Sequence, residues 1–333
     1  YKTFPNLYTI RGTTHRDVKG WVESIDHMKT FNAEYLFPSH TKPIIGKDQI
    51  DEVLTTYRDA IQYIHDQTIR LMNQGLYPDE IAEIIKLPDN LANSPYLYEF
   101  YGTVRWSVKS IFNGYLGWFS GNPSELDPLS RKERALRISK LAGGDEMLLK
   151  QLYTAVDNKD MQWALELSDH LIVLDYFTVE VKQLRKEALI YEGSRSPNPN
   201  KRNYLLTSAL ELDESFENTV LIERTDELLE QVSIHTLFDV LSVRFNPESY
   251  NNDYFLACFN FSSGVIKNIT IRNKVAVVTN SKQQSCDLNI TSDEIEFKKI
   301  LVGLQSPITA IASGKIEVEG DPTEFLKFLS IFR

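Results

Sequence analysis

The spacing of apolar residues predicts that the middle of the chain is helical. From residue 48 onward, apolar side chains recur at intervals of three and four, which places them on one face of an amphipathic helix: Ile50, Val53, Leu54, Tyr57, Ile61 and Ile64. We expect Asp48 to be the N-cap of this helix and Gly75 to mark its end. Shorter patterns predict further helices at residues 78–85, 97–119, 130–142, 145–156, 161–174, 178–191 and 201–212. Residues 47–215 are therefore predicted to form an all-helical domain.

The apolar pattern differs on either side of this helical region. Residues 1–46 contain strand-like apolar runs at 7–10 and 35–37 with a predicted helix at 18–31 between them, an α/β fragment too small to bury a core alone. After about residue 232 the apolar period falls to two or becomes continuous, as is typical of strands. The predicted strands lie at 255–261, 266–271, 275–279 and 315–318, and the predicted helices at 235–243, 292–302, 306–312 and 322–332. Residues 216–333 are therefore predicted to be a small α+β domain.

Length and charge narrow the class of protein. A chain of 333 residues suggests two domains with the remnant of a third. The formal net charge of −10 argues against a nucleic-acid or anionic-membrane binder, because both need a basic surface. No stretch approaches about 18 uncharged apolar residues, so no membrane-spanning helix is predicted, and we expect a cytoplasmic location. The chain starts at Tyr1, beside a strand-like run, which we interpret as truncation.

Cys258 and Cys286 are the only cysteines in the sequence. Two cysteines are too few for a disulfide-dense scaffold, and they lack the paired spacing of a cysteine-rich zinc site. We therefore interpret them as two buried thiols.

Three local motifs carry information beyond architecture. The first is Phe4-Pro5-Asn6-Leu7-Tyr8-Thr9-Ile10-Arg11-Gly12, followed by Arg16-Asp17. The second is Pro38-Ser39-His40-Thr41-Lys42-Pro43, and the third is Tyr101-Gly102-Thr103-Val104 followed by Gly117-Trp118-Phe119-Ser120-Gly121-Asn122-Pro123. Shorter motifs at residues 141–144, 162–167 and 201–205 follow in order.

Together these motifs resemble the alkyl sulfatases built on a metallo-β-lactamase fold. The resemblance covers nearly the whole chain, because the order and rough spacing of the motifs match throughout. It implies that residues 1–46 are the tail of a metallo-β-lactamase-like catalytic domain and that residues 47–215 are a helical dimerisation domain. Residues 216–333 would be a C-terminal domain similar to sterol carrier proteins, and the chain would form a homodimer.

The resemblance also implies a dinuclear zinc site that supplies hydroxide for hydrolysis of a sulfate ester, with His40 as one metal ligand. Imidazole suits this role as a neutral nitrogen donor. The other family ligands belong to a His-x-His-x-Asp-His motif and two upstream acidic residues, none of which occurs in this sequence. The remaining histidines, which are His15, His27, His65, His170 and His235, are too scattered to replace that motif. We therefore expect this chain alone to lack a complete active site and to be inactive.

Asn6, Arg11 and Arg16 correspond to the sulfate-binding segment of the family. Guanidinium groups can donate paired hydrogen bonds to a tetrahedral oxyanion, although each arginine could instead pair with an acidic neighbour such as Asp17. Trp118 stands where the family often has a sulfate-contacting tyrosine.

The general acid is left open by a second departure from the family pattern. Trp106 stands where the family has a histidine that is a candidate proton donor. Tyr115 and Tyr101 are nearby substitutes.

An aromatic run between residues 96 and 119 allows two interpretations of equal weight. Its members are Tyr96, Tyr98, Phe100, Tyr101, Trp106, Phe112, Tyr115, Trp118 and Phe119. They would line an alkyl-chain channel, or they would form helix core and interface. In residues 216–333 no nucleophile motif or phosphate loop appears, and the resemblance to sterol carriers implies a hydrophobic ligand there.

The predicted function is hydrolysis of sulfate esters of alkyl alcohols, such as dodecyl sulfate, to alcohol and sulfate. The alternative is a non-enzymatic dimerisation scaffold joined to a lipid-binding module. A third interpretation is a helical-repeat adaptor, since residues 163–174 and 179–191 resemble a helix pair of the tetratricopeptide kind, but no period of about 34 residues sustains it.

Overall fold

The chain divides into two units, Tyr1–Asn218 and Thr219–Arg333. This division comes from a computed structural model, which describes residues 2–8, 10, 12–216 and 225–332. Each unit has its own secondary structure and its own hydrophobic packing.

Among its described residues, the first unit is helical apart from one two-stranded ribbon. Its elements are α1 (Val18–Thr30), β1 (Tyr35–Leu36), β2 (Ile44–Ile45), α2 (Lys47–Met72), α3 (Pro78–Ile84), α4 (Asp89–Ala92), α5 (Val104–Leu116), α6 (Arg131–Ala142), α7 (Asp145–Asp157), α8 (Met161–Val173), α9 (Val179–Arg195) and α10 (Pro199–Leu210). The two strands pair antiparallel, with Tyr35 opposite Ile45. The predicted helical character after residue 47 is confirmed, although the helix predicted at residues 97–119 is limited to Val104–Leu116, because Thr103 caps its start and Gly117 ends it.

Local chemistry explains where these helices begin. Thr103, Ser130 and Thr178 are N-caps whose hydroxyl oxygens accept hydrogen bonds from the backbone three residues later. The N-cap predicted for α2 was wrong, because the helix begins at Lys47 and the N-cap is Gly46. Asp48 lies in the first turn instead, where its negative charge interacts favourably with the positive end of the helix dipole.

The predicted strand at residues 7–10 does not appear among the described residues of that run. Leu7 and Tyr8 are both buried, whereas neighbouring residues of a half-buried strand would point to opposite faces. The Leu7 amide also donates to the Pro5 carbonyl at 3.1 Å, which turns the chain. Leu7 and Tyr8 are apolar because both are buried in the core, and this apolar run was mistaken for a strand.

Two hydrophobic cores stabilise the first unit. One core packs α1, α2, α3 and α5 around Phe4 and Leu7, and it continues across residues 46 and 47, since Ile44 and Ile61 belong to it together. The other core lies among α7, α8 and α9, with Leu152 and Leu171 fully buried at its centre. The segment before α1 is therefore part of a helical core.

Backbone hydrogen bonds hold this segment against the loop before α5. The Phe4 amide donates to the Tyr98 carbonyl at 2.8 Å, and the Gly102 amide donates to the Phe4 carbonyl at 3.2 Å. The Tyr57 hydroxyl of α2 donates to the Thr3 carbonyl. Burial raises the pKa of Tyr57 to about 12.

We expect the Tyr57 contribution to stability to disappear at high pH. A pKa raised in the folded state gives stabilisation that is complete below the unfolded pKa of 10.0 and lost as the pH rises toward about 12. Urea unfolding of the native protein and Tyr57→Phe should therefore give a difference in unfolding free energy that shrinks across this window. If the difference in unfolding free energy between the two proteins stays constant across this pH range, the Tyr57 hydroxyl is not buried as described.

The second unit is a five-stranded sheet with helices. Its elements are α11 (Asp226–Gln231), α12 (Ile234–Arg244), β3 (Tyr254–Phe261), β4 (Ile266–Arg272), β5 (Val275–Thr279), β6 (Leu288–Ser292), α13 (Glu294–Leu301), α14 (Pro307–Ala312), β7 (Ile316–Glu319) and α15 (Pro322–Ser330). The strand order is β5-β4-β3-β6-β7, and only β3 and β6 pair in parallel. The predicted α+β composition is confirmed, although α11 and β6 were missed.

Alternating side chains give the sheet one apolar face. Phe259 and Phe261 of β3 point toward Phe238 of α12 and Phe297 of α13, and the Phe238 ring centroid lies 5.0 Å from that of Phe259. Edge-to-face aromatic packing adds to the stabilisation that area burial provides. This cluster fixes the two helices on one side of the sheet.

The opposite face of the sheet carries a disulfide between Cys258 and Cys286, so the interpretation of two buried thiols was wrong. Their Cα atoms are 6.0 Å apart, because Cys258 lies at the centre of β3 and Cys286 lies just before β6, the neighbouring strand. The disulfide attaches the segment between β5 and β6 to the sheet. Among the described residues, no helix is long and apolar enough to cross a membrane.

Candidate functional site

The predicted site residues occupy different environments in the first unit. Arg16 is half-buried just before α1, His40 is exposed between β1 and β2, and Trp118 is 75% exposed after α5. Asn6 is half-buried, and its side-chain oxygen Oδ1 is enclosed without a hydrogen-bond partner among the described residues. Arg11 lies outside the described residues.

Arg16 lines an open cavity of about 840 Å³ at the start of α1, which we call the arginine cavity. The cavity is lined by Thr13, Thr14, His15, Arg16, Asp17, Gly20, Trp21 and Ser24. The Arg16 Nε atom donates to the Tyr8 carbonyl at 3.4 Å. Asp17 instead caps α1, accepting from the Gly20 amide at 2.9 Å, and no ion pair joins Arg16 to an acidic side chain in the described part of the chain. The guanidinium charge therefore faces a space where an anion can enter.

A second cavity, of about 400 Å³, lies beside α5, and we call it the tryptophan cavity. It is lined by Tyr8, Ile10, His15, Trp106, Lys109, Ser110, Asn113 and Gly114. The Trp106 ring packs edge-on against Tyr8 at 5.1 Å between centroids. His15 lines both this cavity and the arginine cavity.

A third cavity, of about 390 Å³, lies between Ile10 and α10. Asn203 and Tyr204, from the motif at residues 201–205, contribute to its lining. Ile10 also lines the tryptophan cavity, so an extended apolar ligand can contact this side chain from either space.

Buried hydrogen bonds fix the walls of these cavities. The Tyr8 hydroxyl donates to the Tyr101 carbonyl at 2.5 Å, and burial raises the pKa of Tyr8. Asn198 donates from Nδ2 to the same carbonyl at 2.7 Å, while its Oδ1 caps α10. Asn198 is 4% exposed, and its structural role was missed because the sequence gives only a turn signal between two prolines.

Two glycines allow close approach of the chain in this region. A Cβ atom at Gly102 would lie 2.0 Å from the Pro5 carbonyl oxygen, so only glycine permits the contact between residues 3–8 and the loop before α5. A Cβ atom at Gly114 would lie between 2.0 and 2.6 Å from three atoms of the His15 ring. The Tyr-Gly-Thr motif thus has a structural explanation in the packing of the first motif.

Neither tyrosine proposed as a general acid lines these cavities. Tyr115 does not line them, and its hydroxyl lies 2.7 Å from His65 Nε2, whose Nδ1 lies 2.8 Å from Asp66. Tyr101 contributes its backbone carbonyl to the bonds with Tyr8 and Asn198. The aromatic run divides between both interpretations, since Phe112 is core, Trp106 lines a cavity, and Trp118 is exposed.

His15 is the cavity residue that the sequence analysis did not assign. It was considered only as a substitute zinc ligand and rejected. The available signal was its position between Arg11 and Arg16, inside the segment predicted to bind sulfate.

The described residues do not fit a zinc ion by themselves. A catalytic zinc site needs about three protein ligands and an open position. Among the described residues, no group of three or more His, Cys, Asp or Glu side chains is arranged to hold a metal. His40 is exposed, and it does not line the arginine cavity.

Comparisons with known proteins place these features in context. Residues 77–215 match the family described as alkyl sulfatase dimerisation, and residues 223–333 match the family described as alkyl sulfatase C-terminal. A linear primary-alkylsulfatase of Pseudomonas sp. (strain ATCC 19151) is 35% identical, covering 99% of this chain and 65% of that protein. An (R)-specific secondary-alkylsulfatase of Pseudomonas sp. is 29% identical, covering 98% of this chain and 50% of that protein.

A solved structure is similar along almost the whole chain. The stereoselective inverting sec-alkylsulfatase from Pseudomonas sp. has a TM-score of 0.90 and 27% sequence identity, with 99% of this chain and 53% of that chain covered. This chain therefore spans between half and two thirds of the length of these relatives.

Proposed function

This chain carries the dimerisation and C-terminal domains of the alkyl sulfatase family, and we propose that it works within an enzyme that hydrolyses sulfate esters of alkyl alcohols to alcohol and sulfate. The observation that carries the proposal is the similarity to alkylsulfatases, which continues from the first motif to the last strand. The cavities at the first motif and α5 supply the chemistry that such a substrate requires.

In this proposal the sulfate group binds at Arg16, together with Asn6, Arg11 and Trp118. A guanidinium group can donate two parallel hydrogen bonds to a tetrahedral oxyanion, and Arg16 forms no ion pair that would compete among the described residues. The alkyl chain lies against Ile10 and Trp106, whose apolar surfaces line the adjoining cavity. A charged site next to an apolar one matches an amphiphilic substrate.

Zinc dependence is also part of the proposal, with His40 as one ligand of a dinuclear site. Bound zinc would supply a water molecule of lowered pKa. The described residues do not fit the ion by themselves. Two further assignments likewise stay predictions. One is that residues 1–46 are the tail of a metallo-β-lactamase-like catalytic domain, and the other is that residues 216–333 resemble sterol carrier proteins and bind a hydrophobic ligand.

The test is to express the natural gene product that contains this chain and to measure sulfate release from decyl sulfate. We expect hydrolysis, and we expect Arg16→Ala to raise KM by at least about tenfold, as loss of a charge-assisted hydrogen bond predicts. Arg137→Ala, an exposed arginine of α6, is the matched control and should not change KM. Absence of hydrolysis by the native protein would refute the function, and equal KM values in both variants would refute the sulfate site.

We also propose that the first unit forms a homodimer. The match of residues 77–215 to the family described as alkyl sulfatase dimerisation supports this proposal, and Leu141 and Val179 are exposed apolar side chains within that range, at 84% and 82%. Light scattering at micromolar concentration should give a mass near twice 38.3 kDa. The double variant Leu141→Asp/Val179→Asp should shift this mass toward the monomer, whereas Val243→Asp, equally exposed in the second unit, should not. A native monomer would contradict the proposal.

A further inference from the structure

We propose that His15 is the proton donor to the bridging oxygen of the ester, a role that rests on the proposed function and goes beyond it. The family resemblance assigned no residue to this step, because Trp106 stands at the position where a histidine was expected. His15 comes from the loop before α1 and brings an imidazole into the same cavity as Trp106.

The position of the imidazole between two cavities carries the argument. Arg16 lies in the arginine cavity, whereas Ile10 and Trp106 lie in the tryptophan cavity, and His15 borders both. If an alkyl sulfate places its sulfate group at Arg16 and its alkyl chain along Ile10, the bridging oxygen lies between the arginine cavity and the tryptophan cavity. The group that lines both cavities is the His15 side chain.

Gly114 determines where the imidazole lies. Because a Cβ atom at this position would overlap three ring atoms at 2.0 to 2.6 Å, the ring rests directly on the backbone of α5. A side chain on residue 114 would displace the ring from that surface. The glycine thus acts as a positioning residue for His15.

The other ionisable groups around His15 are engaged elsewhere. In the tryptophan cavity, the Tyr8 hydroxyl donates to the Tyr101 carbonyl, and Lys109 forms an ion pair with Asp79. In the arginine cavity, the Arg16 Nε atom donates to the Tyr8 carbonyl, and Asp17 caps α1. Imidazole can both donate and accept a proton, so His15 is the group in these two cavities that is suited to general acid catalysis.

The step balances with water as the only co-reactant. The water oxygen forms a bond to the carbon or the sulfur of the ester, and the bond from that atom to the bridging oxygen breaks. The imidazolium proton moves to the bridging oxygen, and one proton of the attacking water returns to the imidazole. Either point of attack yields the alcohol and hydrogen sulfate, and His15 ends in its starting state.

The test uses the natural gene product with His15→Gln, decyl sulfate as substrate and kcat measured against pH. We expect kcat to fall by about 100-fold with KM changed less than threefold, since general acid catalysis contributes about 10²–10⁴-fold. The decline of kcat as the pH rises through the imidazole range should disappear in the variant. Gly114→Ala should lower kcat by about tenfold, and His170→Ala, a half-buried histidine of α8, should leave kcat unchanged.

Separate outcomes distinguish the failure of this proposal from that of the proposed function. A native protein without hydrolysis refutes both. A native protein that hydrolyses decyl sulfate, combined with His15→Gln at native kcat and an unchanged pH profile, refutes the role of His15 alone. Thermal unfolding of each variant checks that it is folded. His15→Asn provides a second variant. A folded His15→Asn protein with the kcat of the native protein would also overturn the proposal.

Discussion

Reduction of the disulfide between Cys258 and Cys286 should lower the unfolding free energy of the second unit by about 3.5 kcal/mol. The two cysteines are 28 residues apart, and cross-linking a loop of that length removes conformational entropy from the unfolded chain. The expected loss is a large part of the roughly 5–15 kcal/mol that stabilises a typical domain. Hydrogen exchange of the β3 and β6 amides, measured with and without reductant, reports the change directly.

The double variant Cys258→Ala/Cys286→Ala is the matched control. It should show the same loss of protection without reductant and no further loss with it, because the sequence has no other cysteines. The thiols of the unsubstituted protein can be titrated after it is unfolded in denaturant without reductant. Two free thiols in that titration would show that the disulfide does not form. A disulfide of this kind also persists best in an oxidising environment, so the thiol count of protein isolated from cells bears on the cytoplasmic location expected from the sequence.

Replacement of Gly102 by alanine should destabilise the first unit by about 3 kcal/mol and release the first motif from α5. The added Cβ atom would lie 2.0 Å from the Pro5 carbonyl oxygen and 2.6 Å from that of Phe4, and neither backbone atom can move without breaking the local hydrogen bonds. Phe4 and Leu7, which are both fully buried, would lose their places in the core. Thermal unfolding and hydrogen exchange at the Phe4 amide measure the two effects.

Gly75→Ala provides the comparison for this prediction. A Cβ atom at Gly75 meets nothing within 4 Å, so only the positive φ of 83° opposes the substitution. That strain costs about 1 kcal/mol and leaves the first motif in place. Equal destabilisation by the two substitutions would mean that the contact between Gly102 and Pro5 does not constrain the fold.

The proposed roles of Arg16 and His15 depend on the same packing. Gly102 holds the first motif against the loop before α5, and the motif then leads into the loop that carries both side chains. We therefore expect Gly102→Ala to weaken hydrolysis as well as stability in the natural gene product. The contact between Gly102 and Pro5 would then affect both the stability of the first unit and its activity.

Secondary structure was predictable where an element carries several apolar residues in a clear pattern. The spacing of Ile50, Val53, Leu54 and Ile61 identified α2, because residues three and four apart on a helix face the same core. The strand predicted at residues 255–261 corresponds to β3, and a continuous apolar run marked it, since residues 256–259 are all buried. The strand β6 was missed because it is five residues long and carries only two apolar side chains, Leu288 and Ile290, too few for a clear period.

The sequence by itself determined most of the elements and their order, the helical and α+β character of the two parts, and the motifs that resemble the alkyl sulfatase family. These properties are local, since side-chain period, capping residues and motif spacing all act over a few neighbouring positions. Only the tertiary structure decided that Cys258 bonds to Cys286 and that His15 rests on Gly114 beside Trp106. Such pairings depend on distances between segments that are far apart in the chain, and those distances are set when the separate elements pack into a common core.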